Sequence, residues 1–382
     1  MEFGSNGTRK RRRLQKSWTI LAACLVAGLL FLQYGLMVSS YTRSSSQHQR
    51  ALEAQQSLPT CAINLFGLPR AFRSLVLPSL IQNVVSKNDC DYFVHYYFQT
   101  EEVAGRSGQG GTIDPNEILL LREAIQQHAK NTTREVHIEF TSDTEDRFWS
   151  QYTPLVEKIR TTKKEGEYYY FPWKARTYKH PTTTDNIIKM WHSIHSAWNL
   201  MERYENKQQP QHTKYETVAM LRSDVVYMTP IVVERHNPPD VTIPAFGRYP
   251  VSDRIIYGAH DAVRAWATAR FSHLEEHVAW IYANDPGWGL HSERFVNYTI
   301  FPQIHVPIRE HPTMCFLRAR ADESVWVTDC AGAAPPTVME NMGSNMKQRV
   351  ETTLGRTCGQ VKRLARPRTV KSLSCPLFTS AQ

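Results

Sequence analysis

Neither an HExxH pattern nor a paired CxxC occurs in the 382 residues, and no segment repeats. Without them there is no zinc site of recognisable spacing. His260, His273, His277 and His291 come at intervals of 13, 4 and 14, which gives a single i, i+4 pair. A basic body is lacking as well, although the chain carries a net charge of +9. Residues 1–16 hold +5 and residues 343–382 hold +7, so the stretch between them is at −3. That balance excludes a nucleic-acid groove on the globular body. A third absence is local: residues 18–38, WTILAACLVAGLLFLQYGLMV, contain no charged side chain.

A charge-free run of that length can cross a bilayer as a helix, which takes ~20 residues. It continues through Leu32, Tyr34 and Met37 instead of closing in the small residues of a cleavage site, so it reads as a retained anchor. Arg9, Lys10, Arg11, Arg12, Arg13 and Lys16 lie before it, and only Arg43 and Arg50 follow closely. The positive-inside bias therefore keeps residues 1–17 cytosolic and sends the rest into the secretory lumen as a single-pass type II protein. Residues 39–59 are polar and read as a stem, and residues 60–330 as the folded body. Residues 331–382 read as a basic, poorly ordered tail. Beyond Cys24, six cysteines (Cys61, Cys90, Cys315, Cys330, Cys358 and Cys375) suit disulfides in an oxidising lumen. The sequons at Asn131 and Asn297 suit glycosylation there.

Within the body, CAINLFGL from Cys61 is a buried-strand candidate, Pro69 to Val85 a helix, and CDYFVHYY at 90–97 a second strand. Strand, helix, strand over this length is a βαβ unit, which implies a parallel sheet covered by helices. Each of Cys61 and Cys90 opens one of these strands, so the pair can bridge if the strands are neighbours. Cys315 with Cys330 and Cys358 with Cys375 are then the simplest remaining pairs. A helix at 116–129 and a strand at 134–140 follow. Asp185 to Tyr204 carries one apolar stripe, Ile187, Trp191, Ile194, Trp198 and Met201, with Lys189, Ser193 and Ser196 on another side. TVAMLRSDVVYM, 217–228, reads as a central strand and Ala259 to Tyr282 as one long helix. Short strands are expected at 299–307 and 314–319. Trp173, Trp266, Trp280, Trp288 and Trp326 read as core, with Trp288 in the DPGWG turn either packed there or stacking on a sugar.

MLRSDVVYMTPI, residues 220–231, is the most informative segment. An apolar strand delivers Arg222 and Asp224 at its C-terminal end, where open α/β sheets bind ligands. A carboxylate there can hold Mn2+ or Mg2+ against a diphosphate, and a guanidinium can fork onto phosphate. The bland alternative is an Arg–Asp pair ending a strand.

The order INLFGLPR, CDYFVHYY, TDNIIKMWHSIHSAWNLM, LRSDVVY, YPVSDRIIYG, LHSERF resembles that of GT-A type glycosyltransferases, including the Golgi type II enzymes, over residues 61–330. The resemblance implies an α/β fold with a Rossmann-type mixed sheet flanked by helices, in the Golgi membrane. It also implies transfer from a nucleotide sugar to a glycan, protein or lipid acceptor. Position by position, it implies that Arg70, Lys189, Arg222 and Asp224 meet the nucleotide sugar. Asp224 would also hold the metal, Asp253 would face the donor sugar or the metal, and Glu293 would be an acceptor-side base. Plainer roles stand beside these: a solvated arginine or lysine for Arg70 and Lys189, a turn or helix carboxylate for Asp253 and Glu293. The chain departs from the family in having Arg222-Ser223-Asp224 where Asp-x-Asp is common, which removes one metal-binding carboxylate. Two other classes fit the same topology, a lumenal sulfotransferase and a non-catalytic glycan-binding protein of the same fold.

Overall fold

A computed structural model describes residues 61–104, 110–129, 135–208, 214–234, 239–325 and 362–363. The expected cytosolic tail, anchor and stem lie outside the described residues, as do Asn131, Cys330, Cys358, Cys375 and nearly all of the C-terminal tail. Among the described residues no helix is long and apolar enough to cross a membrane.

The body is a mixed α/β fold on a seven-stranded, mostly parallel sheet. Its strands in chain order are β1 (Cys61–Gly67), β2 (Asp91–Tyr97), β3 (Ile138–Asp143), β4 (Thr217–Arg222), β5 (Val241–Pro244), β6 (Ile256–Ala259) and β7 (Ile308–His311). Across the sheet they lie in the order β7-β5-β6-β4-β1-β2-β3. Only β6 runs against its neighbours. β1 shows why the centre is parallel and covered. Cys61, Ile63 and Leu65 enter the core on one face, Ala62 and Phe66 the core on the other, and a strand buried on both faces has no polar side to show. The chain leaves β1 through α1 (Leu77–Asn83) to the parallel neighbour β2, which is the expected βαβ unit. Cys61 and Cys90 are bridged across it, with Cα atoms 4.8 Å apart. Cys315 is disulfide-bonded too.

α1 and α2 (Leu120–His128) cover one face. The other face is covered by α3 (Glu145–Thr161), α4 (Thr182–Gln208), α5 (His260–Thr268) and α6 (Leu274–Asn284). The whole predicted stripe of α4 is buried, and the helix extends a few residues beyond Asp185 and Tyr204 at either end. α3 has no counterpart in the sequence reading, though its start is marked. Thr144 accepts from the Arg147 amide, and Glu145 and Asp146 face the positive end of the helix.

Four expectations on local structure are corrected. The expected helix from Ala259 to Tyr282 is two helices, because Arg270 folds back and donates to the Trp266 carbonyl with its guanidinium 3.9 Å from that ring's centroid. The expected strand at 299–307 is helical turns, Val296–Ile300 and Phe301–Gln303, with Pro302 in the first turn of the second. β3 starts at Ile138 because its pairing begins at Tyr92, just where the Asp91 carboxylate takes the His137 amide. Ser193 lies off the apolar stripe of α4, yet it is fully buried and accepts from the Gly67 amide at 2.9 Å.

Candidate functional site

From β1 the chain goes to β2 and β3 on one side and returns to β4 on the other, so the sheet has a switch point between β1 and β4. The crevice beyond the C-terminal ends of these two strands is the usual ligand position in such sheets. β1 ends at Gly67 with φ 120°, where a Cβ would sit 3.3 Å from Ser223 Oγ, so glycine both permits the turn and leaves room for β4. Ser223 ties the strand ends together through its amide and hydroxyl, both donating to the Phe66 carbonyl at 2.9 and 3.1 Å. Just past Arg70, Ala71 takes a left-handed conformation (φ 44°, ψ 41°), which costs a residue with a Cβ about 1 kcal/mol or more.

These turns bring Arg70, Arg222 and Asp224 into one cluster. Arg222 donates from Nε to Asp224 Oδ1 and from Nη2 to Oδ2, both at 2.7 Å, a forked ion pair. Arg70 Nη1 donates to the same Oδ2 at 2.7 Å, and Arg70 Nε to Glu102 Oε1 at 2.8 Å. Arg320 closes the group, with Nη1 4.0 Å from Glu102 Oε1. Asp224 is 1% exposed. Its burial pushes the carboxyl pKa up, but the charges of Arg222, Arg70 and Arg320 outweigh that and hold it well below the usual carboxylate range. Three guanidinia against two carboxylates leave one positive charge in excess. Arg320 is buried, and its Nε has no hydrogen-bond partner among the described residues. Burial, then Arg70 and Arg318, push its pKa down to about 9, so it stays charged at neutral pH.

Mn2+ or Mg2+ on Asp224 would have to displace guanidinium contacts that already occupy both of its oxygens. Such a cation would also enter a site with surplus positive charge.

A second constellation lies farther along the same edge. Register places Arg222, Phe66, His95 and Thr141 in one row across β4, β1, β2 and β3. His95 is thus two strand spacings, roughly 10 Å, from the Arg222 backbone. His95 Nε2 and His192 Nε2 both meet Asp143 Oδ2, at 3.1 and 2.7 Å. The far ring nitrogens are held as well, His95 Nδ1 by Ser193 Oγ at 2.7 Å and His192 Nδ1 by Tyr152 OH at 3.1 Å. The three ligand atoms lie within 4.8 Å of one another, so the group can hold a metal ion. Burial lowers the pKa of both imidazoles, and hydrogen bonding from His95 leads the effects that hold Asp143 below the usual carboxylate range. The sequence reading missed this group. Of the four histidines whose spacing stands out in the sequence, His260, His273, His277 and His291, His277 is bonded to Thr299 at 2.7 Å within the core.

The other expected site residues have different partners. Lys189 is paired with Glu145, its ammonium 5.2 Å from the Trp149 ring centroid. Asp253 is buried and acts electrostatically on the buried guanidinium of Arg270. Glu293 sits in the four-residue helix Ser292–Phe295 with His291 Nδ1 at 3.3 Å. Trp288 is packed in its turn under the Arg294 guanidinium, 4.0 Å from the ring centroid. Asn297 is half-buried beside the exposed Tyr298.

No family model matches the chain, and no curated protein matches it. Among solved structures it is similar to the apo form of mouse xyloside xylosyltransferase 1, at 11% sequence identity over 67% of this chain and 85% of that one. The TM-score is 0.34, at which the likeness carries no argument for a shared fold or activity.

Proposed function

We infer that the chain is a glycosyltransferase that uses a nucleotide sugar, anchored in the Golgi membrane through residues 18–38 with its body in the lumen. The observation that carries the reading is the surplus of guanidinium at the β1/β4 switch point, with the buried Arg320 Nε unsatisfied among the described residues. A diphosphate is an anion, of the sign that this surplus would attract. Arg70 and Arg222 would fork onto its oxygens, and Asp224 would hold the two guanidinia in register. As the bond from sugar to phosphate breaks, negative charge grows on the departing diphosphate. Donors set in advance around it lower the barrier, each being worth ~10²- to 10³-fold in rate. Attack needs a base to take the proton from an acceptor hydroxyl on a glycan, protein or lipid. Glu293 and Asp253 are the carboxylates assigned to the acceptor and donor-sugar sides. The Cys61–Cys90 bridge supports the lumenal part of the reading, since such bonds persist in oxidising compartments.

Thermal stabilisation of the purified full-length protein by a panel of nucleotide sugars tests this. A donor at a hundred times its Kd should add about 2.7 kcal/mol, several degrees in Tm, without added divalent metal. The shift should vanish in Arg222→Ala. A shift with the sulfate-donor nucleotide alone would make the chain a sulfotransferase. Binding without turnover of any acceptor would make it a binding protein, and no shift with any nucleotide would end the reading.

A further inference from the structure

We propose that His95, Asp143 and His192 bind one divalent transition-metal ion of the zinc class, at a site separate from the guanidinium cluster. The proposal stands on this constellation alone and does not depend on the donor reading. Two imidazoles and a carboxylate are the donor set that Zn2+ and its first-row neighbours prefer, whereas Mg2+ and Ca2+ favour oxygen throughout.

The ligand atoms are already gathered within 4.8 Å of one another. Ligands 2.0–2.1 Å from a tetrahedral ion stand about 3.3 Å apart. The two nitrogen-to-Oδ2 distances of 3.1 and 2.7 Å therefore need to open by about 0.2 and 0.6 Å, with the two nitrogens, within 4.8 Å of one another, settling at the same spacing. The outer contacts match what metal-bound histidines require. Such a histidine presents one nitrogen to the ion, while a hydrogen bond at the other fixes ring and tautomer. Here Ser193 Oγ and Tyr152 OH hold the Nδ1 atoms, and Ser193 is itself anchored on the Gly67 amide. Arg147 Nε is ion-paired with Asp143 Oδ1 at 3.0 Å, so Oδ2 is the oxygen that meets the two imidazoles. On binding, each ring moves its proton from Nε2 to Nδ1, turning Ser193 and Tyr152 from donors into acceptors, with no net proton released. Ser196 Oγ, 3.4 Å from His192 Nε2, is placed for the fourth position. His95 is completely buried and His192 nearly so, which suits an ion that ties α4 to the ends of β2 and β3.

The test uses the full-length protein stripped with a chelator, then titrated with Zn2+, Co2+ and Mg2+. One equivalent of Zn2+ should bind and raise Tm by about 5 to 10 °C at a hundredfold excess over Kd. Co2+ should give the visible absorption of a tetrahedral nitrogen–oxygen site, and Mg2+ should give no shift. Tyr152→Phe keeps the ring and removes the hydroxyl behind His192, so Zn2+ affinity should fall about 10- to 100-fold. His192→Gln should abolish binding, while His277→Gln, another buried histidine, should leave it unchanged. No stoichiometric Zn2+, an equal shift with Mg2+, or wild-type affinity in His192→Gln would each overturn the proposal. Should His192→Gln not fold, the wild-type Co2+ spectrum and Tyr152→Phe decide between the two outcomes.

Discussion

Replacing Asp224 by asparagine removes one negative charge and almost no volume. On volume alone the fold would survive such a change. The structure predicts otherwise, because Asp224 is 1% exposed and carries three guanidinium hydrogen bonds at 2.7 Å. An asparagine keeps one acceptor oxygen and turns the other into a donor aimed at Arg222 Nε or at the shared contact with Arg70. Two guanidinia, each less than a fifth exposed, then face a neutral group with Arg320 beside them. Breaking a buried ion pair on one side costs about 3–5 kcal/mol. For a body of this size that is roughly 6 to 20 °C in Tm. The pH dependence separates this cause from a packing defect. The folded-state pKa of Asp224 is depressed, so its contribution is present above its unfolded value near 4 and is lost as pH falls through the folded value. The gap between wild type and Asp224→Asn should be full at pH 7 and narrow below pH ~4. Urea denaturation at a series of pH values measures it. A gap under 1 kcal/mol at pH 7, or one of constant size down to pH 3, would refute the reasoning.

His277 is held neutral by burial, which drops its pKa to about 4 from 6.5, so the unfolded state takes up a proton first as pH falls. Stability should therefore decline between pH 6.5 and 4, by about 3 kcal/mol from this group, and His277→Gln should flatten that slope in pH-dependent melting curves. An unchanged slope would mean another group titrates there. Removing the Cys61–Cys90 bridge, which spans 29 residues of chain, should cost about 3–4 kcal/mol in the chain-entropy account. Equilibrium unfolding of the double alanine variant reads this directly, and a loss below 1 kcal/mol would show that the α1 region is already ordered without it. In sealed microsomes, protease added outside should trim only the first ~17 residues. Degradation of the body in intact vesicles would reverse the topology.

The parts of the fold legible in the sequence were those where one face or two faces of a single element determine the pattern. β1 and β2 are buried on both sides and read as apolar runs, and α4 shows its stripe because a long helix repeats it. The parts misread depend on partners elsewhere. The break after α5 exists because Arg270 turns back to cap that helix and cover Trp266, and no local pattern announces a buried arginine. Ser193 looked like part of a polar face, yet a small hydroxyl is what lets α4 approach the end of β1 closely enough to take the Gly67 amide.

The two clusters at the sheet edge differ in legibility for a related reason. Arg222 and Asp224 are two residues apart at the end of one strand, so their pairing is visible locally, and Arg70 follows the neighbouring strand. What the sequence could not give was the sign of the site. Read alone, Asp224 is a carboxylate that could meet a cation; in the fold it is the counter-charge of Arg70 and Arg222, with Arg320 nearby. His95, Asp143 and His192 come from β2, β3 and α4, 48 and 49 residues apart in the chain. Motifs such as HExxH are recognisable because one helix supplies two ligands at a fixed step. A site whose ligands each ride on a different element has no step to recognise. Its specificity lies in parallel pairing that brings the ends of β2 and β3 side by side, and in the one helix laid across them. A sequence can lack every zinc motif and still bring two imidazoles to one carboxylate oxygen, which is why the absence of those motifs excludes less than it first suggests.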